Sequence, residues 1–296
     1  MAWVTKKYKP DLVHVLEFQN AGYVYLRGLR LSQNLSRIPL LLTPYGSDIY
    51  WFKQFPRHLR KIRALLARAD VLSSECHRDE MLALANGFKG KFGPRIPAFG
   101  GLQFSHQKED RSSRNAIAVK GYQNRWGRAL NALRAIENLG GSFSDMEVVL
   151  FSCNQSTVRA AKKFAKATGR NVTAFRKGKL RNDEVIAIFR RSAVYIGLSR
   201  SDGISASMIE AMANGAVPIQ SDTSCCGEWL EHGVGGFLVD YDDVDGVSRA
   251  LARILSDPTF QSNAAARNLE TLGEKLRTSS VAKAAIETYE MVTTTN

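Results

Sequence analysis

The sequence lacks any long hydrophobic run. Its longest apolar segments, such as residues 38–43, are far shorter than the ~20 residues that a membrane-spanning helix needs. The early lysines are not followed by an apolar stretch either, so no signal peptide is predicted. Repeats and low-complexity segments are absent, and the chain is 44% hydrophobic and 23% charged, which excludes collagen-like and disordered classes. These absences indicate a globular protein with a sizeable core.

Cysteine and histidine are scarce. The 296 residues include four cysteines without Cys-x-x-Cys spacing and five histidines without metal-ligand spacing. This usage excludes a disulfide-rich secreted scaffold and predicts a reduced, cytoplasmic protein. Cys76 and His77 are neighbours in the chain, but adjacent residues of a helix point about 100° apart. A structural role is therefore favoured over a nucleophile with its base.

Acidic residues are outnumbered by basic ones, 28 to 41, which gives a formal net charge of +13. The excess lies within residues 1–201, whereas residues 202–296 carry a net negative charge. Such a balance suggests an anionic partner: nucleic acid, a membrane surface or a phosphorylated small molecule. Because no known nucleic-acid module or basic tail is present, nucleic acid is disfavoured.

Short β-rich runs alternate with helical stretches along most of the chain. The second half predicts strands at 116–119, 147–151, 172–175, 194–198 and 217–220. The first hundred residues show the same alternation with about three strands. This pattern predicts two α/β domains with parallel sheets, whose ligands bind at the carboxyl ends of the strands. We expect domains at 1–112 and 113–275 and a helix at 276–296, for which a return to the first domain is one interpretation.

The segment 199–221 carries the most specific pattern. It follows a strand, turns at Gly203 and opens a helix, whose first backbone N–H groups form a ready anion site. Asp202 and Glu210 are eight residues apart, so both could reach a ligand lying over the helix start. Carboxylates there suit sugar hydroxyl groups. Taken alone, Ser207 and Glu210 also fit a capping box, and that alternative is favoured for the isolated tetrad.

In its context, the segment resembles the donor-binding E-x7-E segment of the retaining family 4 glycosyltransferases, with Asp202 where the family usually has Glu. The resemblance implies the GT-B fold, in which two Rossmann-like domains with parallel sheets face a central cleft. The first domain would here lack its initial βα units. The resemblance also implies that Asp202 contacts the transferred sugar and Glu210 the nucleotide ribose. Gly203, Ile204 and Ser205 belong to the same donor-binding segment.

A second segment, 119–130, is similar to the part of the family that holds the donor diphosphate with two cations. Lys120 and Arg125 match these positions best, and Arg128 is the alternative because the spacing differs from the family's. The catalytic candidates are Asp202, Lys120 and Arg125. The two cations are included because positive charges opposite a diphosphate stabilise the negative charge that grows on the leaving group. A solvated basic helix start is disfavoured, because cations belong at helix C-termini.

Two segments of the first half, 10–14 and 45–49, are similar to the family's PDxxH strand and HGSD turn. The resemblance assigns five residues to the acceptor side: His14, Tyr45, Gly46, Ser47 and Asp48. Tyr45 stands where many members have His. For His14, an ordinary core histidine is an equally weighted alternative.

The D-x-D sequence at Asp240 and Asp242 is typical of the metal site of another glycosyltransferase fold. Asp242 and Asp243 directly precede a helix, however, where an acid acts as an N-cap. The resemblance implies neither a metal nor another cofactor, only a nucleotide diphosphate sugar as donor substrate.

The sequence thus predicts a retaining, metal-independent hexosyltransferase that uses a glycan, lipid-linked or other hydroxyl acceptor in polysaccharide or cell-envelope biosynthesis. The alternative is a catalytically inactive relative that binds nucleotide or sugar. The basic helix predicted at 56–69 is either a solvated helix or a contact with anionic lipid on the inner face of the membrane. Nucleic acid is not an expected partner.

Overall fold

A computed structural model of the chain describes residues 2–102, 114–223, 225–273 and 276–294. The chain divides into two compact units. The first unit comprises Met1–Gln103 and Glu274–Asn296, and the second comprises Phe104–Gly273. The boundaries predicted after residues 112 and 275 both fall outside the described residues.

The first unit is built on a four-stranded sheet. Its strands, in their order across the sheet, are β1 (Val13–Leu16), β2 (Leu40–Thr43), β3 (Val71–Leu72) and β4 (Lys91–Phe92). The helices are α1 (Ala2–Tyr8), α2 (Tyr23–Leu31), α3 (Gln33–Ser36), α4 (Pro56–Arg68) and α5 (His77–Ala85). All strand pairs are parallel, so the carboxyl ends lie at one edge. The sequence predicted three of these strands, and β4 was missed because it begins with an exposed lysine and contains no apolar run.

The core of the first unit explains why α4 forms where it does. Pro56 occupies the first turn of α4, where a missing N–H costs nothing, and Ile62, Leu65 and Leu66 follow at helical spacing. These three side chains are buried against β2, which is itself buried on both faces. The apolar side of α4 is therefore used in the core, and only its basic side remains exposed.

The second unit is built on a six-stranded parallel sheet with the order β10-β9-β8-β5-β6-β7. Its strands are β5 (Ala116–Lys120), β6 (Glu147–Cys153), β7 (Val172–Arg176), β8 (Ser192–Gly197), β9 (Val217–Ser221) and β10 (Phe237–Val239). Its helices are α6 (Ala129–Glu137), α7 (Gln155–Thr168), α8 (Asn182–Arg190), α9 (Ala206–Ala213), α10 (Val244–Leu255) and α11 (Pro258–Leu272). The order reverses at β5, which lies between β8 and β6. The predicted α/β class with two parallel sheets is confirmed.

The last helix, α12 (Thr278–Thr293), belongs to the first unit. Val292 packs in one buried cluster with Leu41 of β2 and Val71 of β3, so α12 covers the first sheet. Short helical turns complete the described chain at Phe18–Gly22, Phe52–Gln54 and Cys225–Glu228. Of the helices in this described part, none combines the length and the apolarity that crossing a membrane requires.

Candidate functional site

The loops that follow β5 and β8 are joined to each other. Gly127 pairs with Ser199 in an antiparallel bridge, and the Arg128 N–H donates to the Leu198 carbonyl at 3.0 Å. The Arg200 N–H donates to the Trp126 carbonyl at 2.8 Å. The two loops, residues 120–128 and 198–210, thus form one surface at the switch point of the sheet, where ligands of such folds bind. We call this surface the second edge.

Lys120 is the charged centre of the second edge. Its Nζ lies 3.4 Å from Asp202 Oδ2 and 3.4 Å from Ser205 Oγ, so residues from both loops meet there. Asp202 Oδ1 also accepts from the Gly203 N–H at 3.0 Å. Burial is the largest single influence and acts to lower the pKa of Lys120, but Asp202, Tyr195 and Tyr122 together outweigh it, and the pKa lies above its usual value. Lys120 therefore stays an ammonium group in a half-buried site.

The start of α9 lies beside this pair. Ser205 is the N-cap residue, and no side-chain hydrogen bond caps the helix among the residues that the structure describes. The Ser207 hydroxyl points instead to the Tyr195 hydroxyl, at 3.0 Å. The capping box of Ser207 and Glu210 is therefore wrong: α9 begins at Ala206, which puts Glu210 beyond the first turn. The Met208 N–H donates to the Ser205 carbonyl at 2.9 Å, so among the described residues Ala206 and Ser207 offer the first N–H groups of α9 to an anion.

Glu210 is half-buried on α9. Burial raises its pKa, while a hydrogen bond from the Asn182 side chain and the charge of Lys120 act in the opposite direction. Gly203, Ile204 and Ser205 are buried in the loop between Asp202 and α9. The second edge thus brings together Lys120, Asp202 and Ser205, with Glu210 on the helix that follows.

The two arginine candidates differ in their surroundings. Arg128 is engaged within the protein: its Nε lies 3.5 Å from Asp242 Oδ1, and its Nη1 donates to the Asn124 carbonyl at 3.1 Å. Arg125 is exposed, and its guanidinium lies 5.0 Å from the centre of the Trp126 ring. Arg125 is therefore the better placed of the two to meet a ligand from solvent.

The aspartates of the D-x-D sequence make local hydrogen bonds. Asp240 accepts from the Asp242 N–H at 2.7 Å, and Asp242 also accepts from the Asn131 side chain at 3.0 Å. Asp243 accepts from the Gly246 N–H at 2.8 Å and is the N-cap of α10. The N-cap prediction is thus confirmed for Asp243.

Sequence reasoning missed two aromatic residues of the second edge. The Nζ of Lys120 lies 5.4 Å from the centre of the Tyr122 ring, and the Nζ of Lys177 lies 5.9 Å from it. Tyr195, in β8, is fully buried beneath Ser207. A tyrosine within an otherwise aliphatic strand was the one available signal, because its hydroxyl needs a partner when buried.

In the first unit, Tyr45, Gly46, Ser47 and Asp48 follow the carboxyl end of β2, and His14 lies within β1 and contacts Thr43, the last residue of β2. We call this region the first edge. His14 is held at both ring nitrogens: Nδ1 lies 2.9 Å from the Tyr289 hydroxyl and Nε2 lies 2.9 Å from the Thr43 hydroxyl. Burial lowers the pKa of His14, so its ring is kept neutral. Tyr289 comes from α12, and no sequence pattern connected it to His14. Because both ring nitrogens have partners within the protein, the acceptor contact and the ordinary core histidine both stay predictions for His14.

Asp48 fixes the turn that carries the other candidates of the first edge. Its Oδ2 accepts from the Phe18 N–H and the Tyr45 N–H, each at 2.9 Å. The carboxyl group is buried, which raises its pKa to about 7 even though these hydrogen bonds act to lower it. Gly46 has a positive φ of 46° and donates to Glu75 Oε2 at 3.4 Å. Asp48 thus positions Tyr45, Gly46 and Ser47 rather than facing solvent.

Comparisons with known proteins identify the family of the chain. The family Glycosyl transferases group 1 matches residues 105–271, which includes the whole second edge. A lipopolysaccharide core biosynthesis mannosyltransferase of Rhizobium leguminosarum bv. viciae is 31% identical over 72 residues, 24% of this chain. That alignment spans only 20% of the mannosyltransferase.

Solved structures share the fold over nearly the whole chain. Anabaena HepE in complex with UDP and glucose has a TM-score of 0.76 at 15% identity, and the match covers 98% of this chain and 80% of that one. Sucrose-phosphate synthase from Thermosynechococcus elongatus has a TM-score of 0.77 at 18% identity, with 99% and 76% covered. These likenesses confirm the predicted GT-B fold. Because the family match spans more than half of the residues, the chain belongs to the family Glycosyl transferases group 1.

Proposed function

We propose that this chain is a retaining glycosyltransferase of family 4, which moves a hexose from a nucleotide diphosphate sugar to a hydroxyl acceptor without a bound metal. The observation that carries the proposal is Lys120, a half-buried ammonium group held by Asp202 and Ser205 at the start of α9, which has no side-chain cap. These residues lie within the segment that matches the family. A fixed cation beside open backbone N–H groups is an arrangement suited to phosphate.

In this proposal, Lys120 binds the donor diphosphate. An ammonium group has three N–H donors, and two of them are directed at Asp202 and Ser205. The third can donate to a phosphate oxygen and stabilise the negative charge that grows on the leaving group. Arg125, exposed on Trp126, is the second cation. Asp202 accepts from hydroxyls of the transferred sugar, and Glu210 accepts from those of the ribose.

The acceptor hydroxyl binds at the first edge. Neutral His14 and Tyr45 suit an uncharged hydroxyl group, because they donate or accept hydrogen bonds without a net charge. The bond between the anomeric carbon and the diphosphate breaks as the acceptor oxygen bonds to the same face of that carbon, and the leaving diphosphate takes the hydroxyl proton, so the anomeric configuration is retained. The mannosyltransferase relative acts in lipopolysaccharide core biosynthesis, which supports a glycan or lipid-linked acceptor of the cell envelope.

We also propose a cytoplasmic location with peripheral contact to anionic lipid. Trp3 and Tyr8 are exposed on α1, and Lys7 Nζ lies 4.6 Å and 5.0 Å from their ring centres. Exposed aromatic rings with lysines suit a membrane interface. Co-sedimentation with anionic vesicles but not with zwitterionic ones supports this contact, and equal sedimentation with both contradicts it.

One experiment tests the proposed reaction. The protein is incubated with a panel of UDP- and GDP-sugars and acceptors, free nucleotide is followed, and binding of UDP and GDP is measured by calorimetry. Release of one nucleotide, undiminished by a chelator, with an unchanged anomeric configuration in the product, supports the proposal. Binding without release identifies the inactive relative. If neither nucleotide binds and Glu210→Ala changes nothing, the proposal is wrong.

A further inference from the structure

A chain of hydroxyl groups leads away from Lys120 into the second unit. Ser205 Oγ, which lies 3.4 Å from Lys120 Nζ, lies 3.4 Å from Ser207 Oγ. Ser207 Oγ in turn lies 3.0 Å from the Tyr195 hydroxyl. Ser205 and Tyr195 are buried, so water does not compete freely for these contacts. The second edge thus has a polar support beneath it that no part of the proposed reaction has used.

The direction of donation along these hydrogen bonds follows from Lys120, the first group. An ammonium group only donates, so Ser205 accepts from Lys120 and its own O–H is left to donate to Ser207. Ser207 can then donate to the oxygen of Tyr195. The Tyr195 O–H is left over, and the buried Gln220 Oε1 nearby has no hydrogen-bond partner among the described residues. The ammonium group at the near end, which can only donate, thus favours a chain of hydrogen bonds in which every donor points away from Lys120.

The packing around Tyr195 holds its side chain in one position. Its ring meets Phe189 edge-on, with centroids 5.8 Å apart, and Phe151 at 6.4 Å. On its other side, a Cβ at Gly197 would collide with the Tyr195 hydroxyl and with Gln220 Oε1, so the backbone there approaches both polar atoms closely. Burial raises the pKa of Tyr195, which keeps the O–H in place. A phenylalanine would fill the same space, so packing alone does not account for the hydroxyl.

We propose that Tyr195 and Ser207 are positioning residues for Lys120: through Ser205, they fix the side of the ammonium group that faces the protein, so that its remaining N–H faces the donor diphosphate. This inference rests on the proposed function. The inference predicts a selective effect on binding. Loss of the hydroxyl chain should weaken contacts to phosphate and leave contacts to the base and ribose unchanged.

The test compares Tyr195→Phe and Ser207→Ala with the unmodified protein, using calorimetry with UDP and GDP and with the matching nucleosides. Each variant is expected to bind the diphosphate about three- to tenfold more weakly, with unchanged nucleoside affinity. Ser207→Thr, which keeps a hydroxyl, is expected to restore diphosphate affinity. The matched control is Tyr25→Phe, which removes a buried phenol from the first unit and should leave both affinities unchanged. Thermal denaturation verifies that each variant is folded.

A double variant tests whether the effect passes through Ser205. If it does, Tyr195→Phe adds no further loss to Ser205→Ala, so the two changes are not additive. Full additivity, an equal loss of nucleoside and diphosphate affinity, or no loss at all overturns the inference while the proposed function stands. If the unmodified protein binds neither diphosphate, both are overturned.

Discussion

The first edge and the second edge differ in whether their ionisable side chains are charged. At the second edge, Asp202 keeps the pKa of Lys120 raised, so that a positive charge persists in a half-buried position. At the first edge, burial lowers the pKa of His14 and raises those of Tyr45 and Asp48, so these groups are pushed toward their neutral forms. The same parallel architecture thus yields one edge suited to an anion and one suited to an uncharged hydroxyl.

The difference has a structural cause. The carboxylate that faces Lys120 comes from the loop after β8, which is joined to the loop after β5, so opposite charges meet. The carboxyl group of Asp48 instead meets two backbone N–H groups, and the acids Glu17 and Asp79 raise its pKa further. A paired charge is retained on burial, whereas a carboxyl group near other acids favours its proton. Four changes test this contrast.

The largest effect is expected from removing the positive charge of Lys120. Lys120→Met keeps the volume of the side chain but not its N–H donors, and the rate of donor turnover should fall about 10³-fold, equivalent to about 4 kcal/mol. The measurement is kcat/KM for the donor from nucleotide release. Lys162→Met, an equal change at an exposed position of α7, should stay within about twofold. A comparable loss in both variants would contradict a special role for Lys120.

A second change tests the neutral character of the first edge. The pKa of Asp48 is raised to about 7, so the folded protein holds a proton that the unfolded chain releases at lower pH. Stability from this group is therefore present below about pH 4 and is lost as the pH rises through about 7, by an amount of the order of 4 kcal/mol.

The variant Asp48→Asn keeps an oxygen for the two N–H groups but does not titrate. The thermal midpoints of the variant and of the unmodified protein are measured from pH 4 to pH 8. As the pH rises, the midpoint of the variant should increase relative to that of the unmodified protein. Parallel midpoint curves would mean that Asp48 titrates in the folded protein as it does in the unfolded chain.

A third change concerns the ribose contact. Glu210→Gln removes the carboxylate that we propose accepts from the ribose hydroxyls, and nucleotide affinity should fall about tenfold while the KM for the acceptor is unchanged. Calorimetry gives the first quantity and initial rates give the second. Glu137→Gln, at an exposed site in the same unit, is the matched control. Unchanged affinity in Glu210→Gln would remove the ribose role.

The smallest effect is expected at the first edge. Tyr289→Phe removes one hydrogen bond to His14, so the KM for the acceptor should rise about three- to fivefold with the donor KM unchanged. Tyr23→Phe is a close control, because its hydroxyl lies 2.7 Å from Nδ1 of another histidine, His58, which is not a candidate residue. An equal effect of both variants on acceptor KM would indicate a general loss of stability.

Much of the second edge could be predicted from local sequence. Lys120 closes a buried strand, and Asp202 and Glu210 flank a loop-to-helix transition, so their positions follow from the chain order and from the rule that ligands bind at carboxyl ends. The sequence also ranked Arg125 above Arg128, but the contact of Arg128 with Asp242, more than a hundred residues away, could not be predicted. The capping box was wrong for a similar reason: the Ser207 hydroxyl has a tertiary partner in Tyr195.

The first edge was harder to predict. His14 was recognised, but its partner Tyr289 lies 275 residues further along the chain, in a polar helix with no distinctive pattern. The predicted shortening of the first domain stays a prediction, as do the absence of a metal and the retaining stereochemistry.

The central claim is that the second edge binds the nucleotide diphosphate through Lys120, independently of the first edge. Calorimetry with UDP and GDP on the unmodified protein, Lys120→Met and His14→Gln tests it most directly. The account predicts binding of at least one nucleotide by the unmodified protein, equal affinity in His14→Gln, and affinity at least about thirtyfold weaker in Lys120→Met. Equal affinity in Lys120→Met, or an equal loss in His14→Gln, would contradict it.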